Sequence, residues 1–320
     1  MGSNTHRKMT IESKQPEFIE HLDIGIETYS VTNEKPHFQV NAVELLLCLS
    51  GNVTVTVSHM DYELSKGDFV AINPNEVHYS KSDNDNIIVS FYFNACNQEF
   101  QDIGLKDIYL DNIQDNTNPD LINLKKDILK KLMAILFYTL NGLHSDEYTK
   151  LISMSKETLG LLIDNFQLFY IADSGAPHSE ESKQRFNRII SHLIANYDRK
   201  ITMDEISSTE HISSNYLSQY IKKATMMGLT NILAFIRTHE SERILLSKDI
   251  GIIDVAYECG FSDQKLYYKA FKNLYNCTPN QHREAIQKLV EESSSNKIID
   301  VNKERKRLEH EILLIMASCS

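Results

Sequence analysis

The stretch IIDVAYECGFSDQKLYYKAFKNLYNCTP, residues 252–279, reads as two short helices folded about a tight turn. Val255 and Ala256 lie in the first helix, Gly260 permits the turn, and Ser262 stands where a helix cap is expected. Leu266, Phe271 and Leu274 recur at helical spacing and are expected to pack inward. That leaves Asp263, Gln264, Lys265, Tyr268, Lys269 and Lys272 on the outside. Thr278-Pro279 then ends this helix and opens another.

A second stretch of the same kind precedes it: ITMDEISSTEHISSNYLSQYIKK, residues 201–223. Thr202 can cap a short helix with Glu205 as its capping-box partner. His211-Ile212 make the turn and Ser213 caps the next helix, whose inner face takes Tyr216, Leu217, Tyr220 and Ile221. Asn215, Ser218, Gln219 and Lys222 are left outside. Amide, hydroxyl and cationic groups on one helix face are what base edges and phosphates require.

Two helix-turn-helix motifs in tandem, a joining helix with Arg237 and Arg243, and a Thr-Pro exit resemble the DNA-binding domain of AraC/XylS-family transcriptional regulators. The resemblance implies a long helix, roughly Thr230 to Leu246, that holds the two recognition helices apart. They could then enter successive major grooves about 34 Å apart, one helical turn. By register, Asn215, Ser218, Gln219, Lys265 and Lys269 would read bases, and Lys222, Lys223 and Lys272 would hold phosphates; the bland alternative for each is a solvated helix face. Three positions depart from the family pattern. Met226 stands where glycine is usual, Ile221 replaces a common phenylalanine, and Asn276 replaces a glycine whose left-handed conformation Asn can adopt.

Residues 17–94 read as β structure. An apolar run, Leu45–Leu49, is closed by Ser50-Gly51-Asn52, and Val53–Val57 alternates with period two. Phe69–Ile72 and Ile87–Phe93 follow, separated by turns. Short strands at this spacing predict a sandwich or barrel. Glu44, and GDFVAINPNEVH from Gly67 to His78, resemble the cupin barrel found in many such regulators. In metal-binding cupins a His-x-His, a Glu and a later His form the site; here His37, Gln39, Glu44 and His78 occupy those places. Gln is a poor transition-metal ligand, so the quartet is read as polar lining for a small molecule rather than as a metal centre, and no cofactor is expected. His78 as a satisfied surface histidine and Glu44 as a turn cap is the competing reading.

Residues 119–172 carry apolar positions at helical spacing in two blocks separated at Asn141-Gly142, a helical hairpin that serves either as a dimer surface or as a cover for the barrel core. The expected fold class is therefore α+β. A cupin-like ligand-sensing barrel (15–118) leads to the hairpin (119–172), a linker (173–182), a DNA-binding domain (183–291) and a tail without an assigned role (292–320). Charge follows the same division: residues 1–182 carry 13 Lys and Arg against 27 Asp and Glu, and residues 183–291 carry 15 against 12, within a net charge of -11. Such a balance fits DNA binding when the cations cluster on one face. Five scattered cysteines without C-x-x-C spacing argue against a disulfide framework or a zinc site. The polar N-terminus and the absence of a long apolar run point to a cytoplasmic protein with no membrane partner.

The function expected from the resemblance is a DNA-binding regulator, an activator by preference, controlled by a small molecule such as a carbohydrate in the barrel. Its partners would be double-stranded DNA, RNA polymerase and a second copy of itself. Two alternatives stay open: a constitutive or partner-controlled regulator whose barrel only dimerises, and a metal-dependent cupin enzyme.

Overall fold

The computed structural model describes residues 11–96, 109–112, 117–142, 147–169, 180–292 and 296–319. Most of the linker expected at 173–182, and the serine run at 293–295, lie outside the described residues. The N-terminal part contains β1 (Glu12–Lys14), β2 (Ile24–Val31), β3 (His37–Gln39), β4 (Ala42–Ser50), β5 (Asn52–Val57), β6 (Met60–Ser65), β7 (Phe69–Ile72), β8 (His78–Lys81) and β9 (Ile87–Asn94). One sheet runs β1-β3-β8-β5-β6; the other holds β2-β9-β4-β7.

Alternation decides where each side chain goes. On β5, Val53, Val55 and Val57 are buried while Thr54 and Thr56 are half-buried. β4 is buried along almost its whole length because both of its faces are covered. Leu46 and Cys48 point into the barrel with Val55, Val70 and Ile88. Leu45, Leu47 and Leu49 point outward, into a second cluster with Val89, Phe91 and Phe93 of β9. That outer cluster is completed by α1 (Pro119–Leu140), capped by Asn118, and α2 (Glu147–Phe166). Of the two roles open to the hairpin, its inner face takes the one of covering the barrel core.

The C-terminal helices are α3 (Glu180–Ala195), α4 (Met203–Thr209), α5 (Ser214–Thr225), α6 (Leu229–Ser247), α7 (Ile252–Glu258), α8 (Gln264–Tyr275) and α9 (Pro279–Glu291). α4–α5 and α7–α8 are the two helix-turn-helix units. Each closes its own apolar cluster, the first around Phe186, Leu217, Ile221 and Ile236, the second around Leu246, Val255, Tyr267 and Phe271. α6 contributes to both. Beyond α9, the tail returns to the barrel. β10 (Asn296–Ile298) pairs antiparallel with β2, and α10 (Val301–Ser318) buries Leu308, Ile312 and Ile315 in the outer cluster. Lys66–Glu311 and Arg307–Asp85 ion pairs fasten it at 2.5 and 2.8 Å.

Local details differ from the sequence reading in three places. Asp263, not Ser262, caps α8, its side chain accepting from the backbone N–H of Lys265 and Leu266. The inward aromatic of α8 is Tyr267, fully buried, while Leu266 is 51% exposed. Tyr216, assigned to the inner face of α5, is 45% exposed. The other inward positions hold: Leu217, Tyr220 and Ile221 of α5 and Phe271 of α8 are buried.

Backbone sign matters at three positions, two of them matching helix ends. Gly260 sits at φ +76°, and a Cβ there would lie 2.5 Å from the Tyr197 carbonyl oxygen. Met226 ends α5 at φ +56° with an exposed side chain, and Asn276 ends α8 at the same angle. Gly260→Ala is expected to destabilise the protein by more than about 2 kcal/mol, since strain and collision add. Met226→Gly should stabilise by about 0.5–1 kcal/mol, because the left-handed penalty of a side chain exceeds the entropy glycine adds. Urea unfolding of both variants checks the pair.

Candidate DNA-reading helices and barrel pocket

α5 and α8 are each twelve residues long, and neither contains an Asp or a Glu. Asn215, Ser218, Gln219, Lys222 and Lys223 are exposed on α5, and Lys265, Lys269 and Lys272 on α8. Spacings of three and four gather each set on one face. The structure thus brings the eight sequence-predicted residues to two solvent-facing stripes. Tyr216 and Leu266, each the third residue of its helix, stand exposed beside them and were missed; large apolar residues one position before a buried neighbour were the available signal.

The two stripes are held apart by α6. Its 19 residues span about 28 Å at 1.5 Å per residue. Arg237 donates to the carbonyls of Tyr197 and Arg199 at 2.7 and 2.8 Å, tying α6 to the end of α3. Arg283 donates to the carbonyls of Leu245 and Ile250, both at 3.0 Å, tying α9 to the other end. His282 and Tyr275 both bond the buried Glu242 on α6, at 2.8 and 3.1 Å.

Three of the barrel quartet, His37, Glu44 and His78, are brought together, and Gln39 follows two residues after His37 on β3. His37, Gln39, Glu44 and His78 are all buried. The rings of His37 and His78 lie 4.2 Å apart, and His78 Nε2 is 3.3 Å from Glu44 Oε2. Glu44 Oε1 accepts from Ser90 at 2.5 Å. Each imidazole donates Nδ1–H to a backbone carbonyl, His37 to Lys35 and His78 to Glu76, both at 3.0 Å. Burial opposes charge on His78, but the Glu44 carboxylate 3.3 Å away outweighs it and raises the pKa. Burial likewise opposes charge on Glu44, and His78 and Ser90 overcome it, so that carboxyl is lowered. His37 is pushed down by burial and by His78, so it stays neutral. The quartet is therefore a carboxylate beside two imidazoles and an amide. The Gln39 Oε1 atom, buried, has no hydrogen-bond partner among the described residues. A mouth of about 550 Å³ opens at Gln39 and Tyr92, bordered by the 12–17 arm and Ile298 of β10.

A further set of buried polar groups joins barrel and helices, and sequence reasoning missed it. Glu76 Oε1 accepts from Ser58 at 3.2 Å and from His239 of α6 at 3.1 Å; Glu76 Oε2 accepts from the Asn73 backbone and side chain, each at 2.9 Å. A histidine within the apolar joining helix was the available signal. Burial disfavours charge on both partners, yet their mutual bond wins: His239 is raised above 6.5 and Glu76 lowered below 4.5. His239 therefore stabilises the folded form fully below its ordinary pKa and less as pH rises through its folded value. Glu76 does so above its ordinary pKa and less as pH falls. Glu76→Gln is expected to cost about 3 kcal/mol at pH 6, where it strands a buried imidazolium. The cost should shrink at alkaline pH as His239 loses its proton, which urea unfolding at pH 6 and pH 9 measures.

Comparison with known proteins follows the same division. A helix-turn-helix domain model matches residues 206–285, and a cupin domain model matches residues 28–93. The HTH-type transcriptional activator RhaS of Mannheimia succiniciproducens is 23% identical over 247 residues, covering 75% of this chain and 86% of that protein. The Msm operon regulatory protein of Streptococcus mutans is 22% identical over 160 residues, covering 50% of this chain and 56% of that one. The chain thus spans little more than half the length of the latter relative. The solved structure of ToxT from Vibrio cholerae aligns at TM-score 0.41 and 14% identity, covering 84% of this chain and 99% of that one. An AraC-type helix-turn-helix domain thus stands behind a cupin domain, and the relatives this chain is similar to are transcriptional regulators of the AraC family.

Proposed function

We propose that the protein binds a bipartite DNA site with α5 and α8 in successive major grooves, and that it activates transcription in response to a small molecule held in the barrel. The observation that carries the DNA part is the pair of acid-free, solvent-facing stripes joined by one helix. Asn215, Ser218 and Gln219 offer amide and hydroxyl groups to base edges, and Lys265 and Lys269 offer donors to guanine. Lys222, Lys223 and Lys272 hold phosphates. Tyr216 and Leu266 are suited to apolar contact with thymine methyls. The regulator acts in the cytoplasm as a homodimer that engages RNA polymerase, in keeping with a relative named as a transcriptional activator.

In the barrel, the Glu44–His78 pair and the unpartnered Gln39 oxygen are fixed polar groups inside an otherwise apolar enclosure. Such a site orients a small polyol or other hydroxyl-rich ligand by hydrogen bonds. The ligand would act by binding two arrangements of the protein unequally.

Selection from random duplexes by the full-length protein, with and without a pool of sugars, tests the reading. Two half-boxes about one helical turn apart are expected. No enriched motif overturns it. Lys269→Ala should relax preference at one base pair while leaving the salt dependence of binding nearly unchanged; an even loss across sequences with a smaller salt slope would move Lys269 to the phosphate group instead.

A further inference from the structure

A cavity of about 390 Å³ lies where the barrel meets the helical unit, and no residue of the barrel quartet lines it. Its barrel wall is the β5–β6 turn, with His59 and Met60; its floor is Glu76 and the Tyr109–Asn112 segment. Its far wall is Phe235 and His239 of α6 with Leu274 and Tyr275 at the end of α8. A molecule seated there would touch the barrel, the joining helix and the second helix-turn-helix unit at once.

The chemistry of the lining is selective. Most polar groups around it are already committed. Glu76 has its bonds from Ser58, Asn73 and His239. Tyr109 and Tyr275 donate their hydroxyls to Glu240 and Glu242, so they offer the cavity their rings. Two groups stand apart from this network. The buried Nδ1 of His59 has no partner among the described residues, and Asp111 contributes a carboxylate. Burial pushes the His59 imidazole down, and desolvation and the nearby Glu76 charge push the carboxyl of Asp111, an exposed residue at the cavity rim, up. No Lys or Arg stands among the described residues lining the cavity. Aromatic walls with one unneutralised carboxylate favour a cation and repel carboxylate- or phosphate-bearing molecules.

We propose that this junction is a second ligand site, separate from the barrel quartet, and that it takes a small aromatic or alkyl amine. The ammonium sits at Asp111, the apolar body lies against Tyr62, Tyr109 and Tyr275, and His59 meets a hydroxyl or amine hydrogen. The volume is within the range of small-molecule sites, about 300–1,000 Å³. Because the walls belong to both parts of the molecule, occupancy strengthens their docking in the arrangement seen here.

The probe is tyramine, a phenol with a primary ammonium, set against 4-ethylphenol and 3-(4-hydroxyphenyl)propionate, which keep the ring and replace the charge. Calorimetric titration of the full-length protein should give tyramine at least tenfold tighter than either control, with the His59 ring resonances shifting during the titration. Asp111→Asn, a change at an exposed position, should lose about tenfold for tyramine and nothing for 4-ethylphenol. Met60→Trp, which fills the cavity from the turn, should abolish binding while circular dichroism stays unchanged. Equal or tighter binding of the propionate, tyramine binding untouched by both variants, or no binding of tyramine would each overturn the proposal. None of these outcomes bears on the barrel quartet or on DNA selection, which are read by different experiments.

Discussion

The arrangement of the molecule rests on one buried carboxylate. Glu76 closes the loop after β7, and its four bonds come from that loop, from Ser58 on the neighbouring turn and from His239 on α6. A carboxylate has about four acceptor sites, so this one is filled. A buried charge must be paired and hydrogen-bonded, and here the pairing partner belongs to the helix that carries both helix-turn-helix units. Fixing the loop and fixing α6 are therefore the same event.

Apolar contacts widen that single joint into a seam. Ile11, Phe38 and Val77 of the barrel belong to the cluster of the second helix-turn-helix unit, and the backbone of Ile11 bonds Leu246 at the end of α6. Tyr109 and Phe169 belong to the cluster of the first unit. The seam is continuous with the two cores, unlike the more polar surfaces usual between domains of one chain. The chain also crosses it more than once, because β10 and α10 return to the barrel after α9. The helical unit is thus held to the barrel by its own C-terminal continuation as well as by the seam.

Much of this was legible in the sequence, and what was not has physical reasons. The strands came from alternation at Val53–Val57 and from the Leu45–Leu49 run, the helical units from caps and three-to-four spacing. Thr202 and Ser213 cap as expected, and Asn276 takes the left-handed corner foreseen for it. Long-range partnership was not legible. Nothing local pairs Glu76 with His239, 163 positions away. The tail has no legible role in the sequence because its partners, Lys66, Asp85 and the outer face of β4, lie more than two hundred residues earlier. At Leu266 and Tyr267 two adjacent large side chains compete for the inward position, and only the packing of the unit selects Tyr267.

The seam limits how a ligand could act. α6 is packed along most of its length, with residues such as Ile232, Ile236, His239, Glu242 and Leu246 buried. Its length sets the separation of the two polar stripes within one copy, and a packed helix does not stretch. Both stripes face solvent while the barrel is docked. Covering the stripes, or changing their spacing within one chain, is therefore not what docking does. What docking does fix is the direction in which a copy presents its stripes relative to its own barrel, and hence relative to whatever the barrel contacts. A molecule that loosened or tightened the seam would change that direction and leave both stripes, and their spacing, intact.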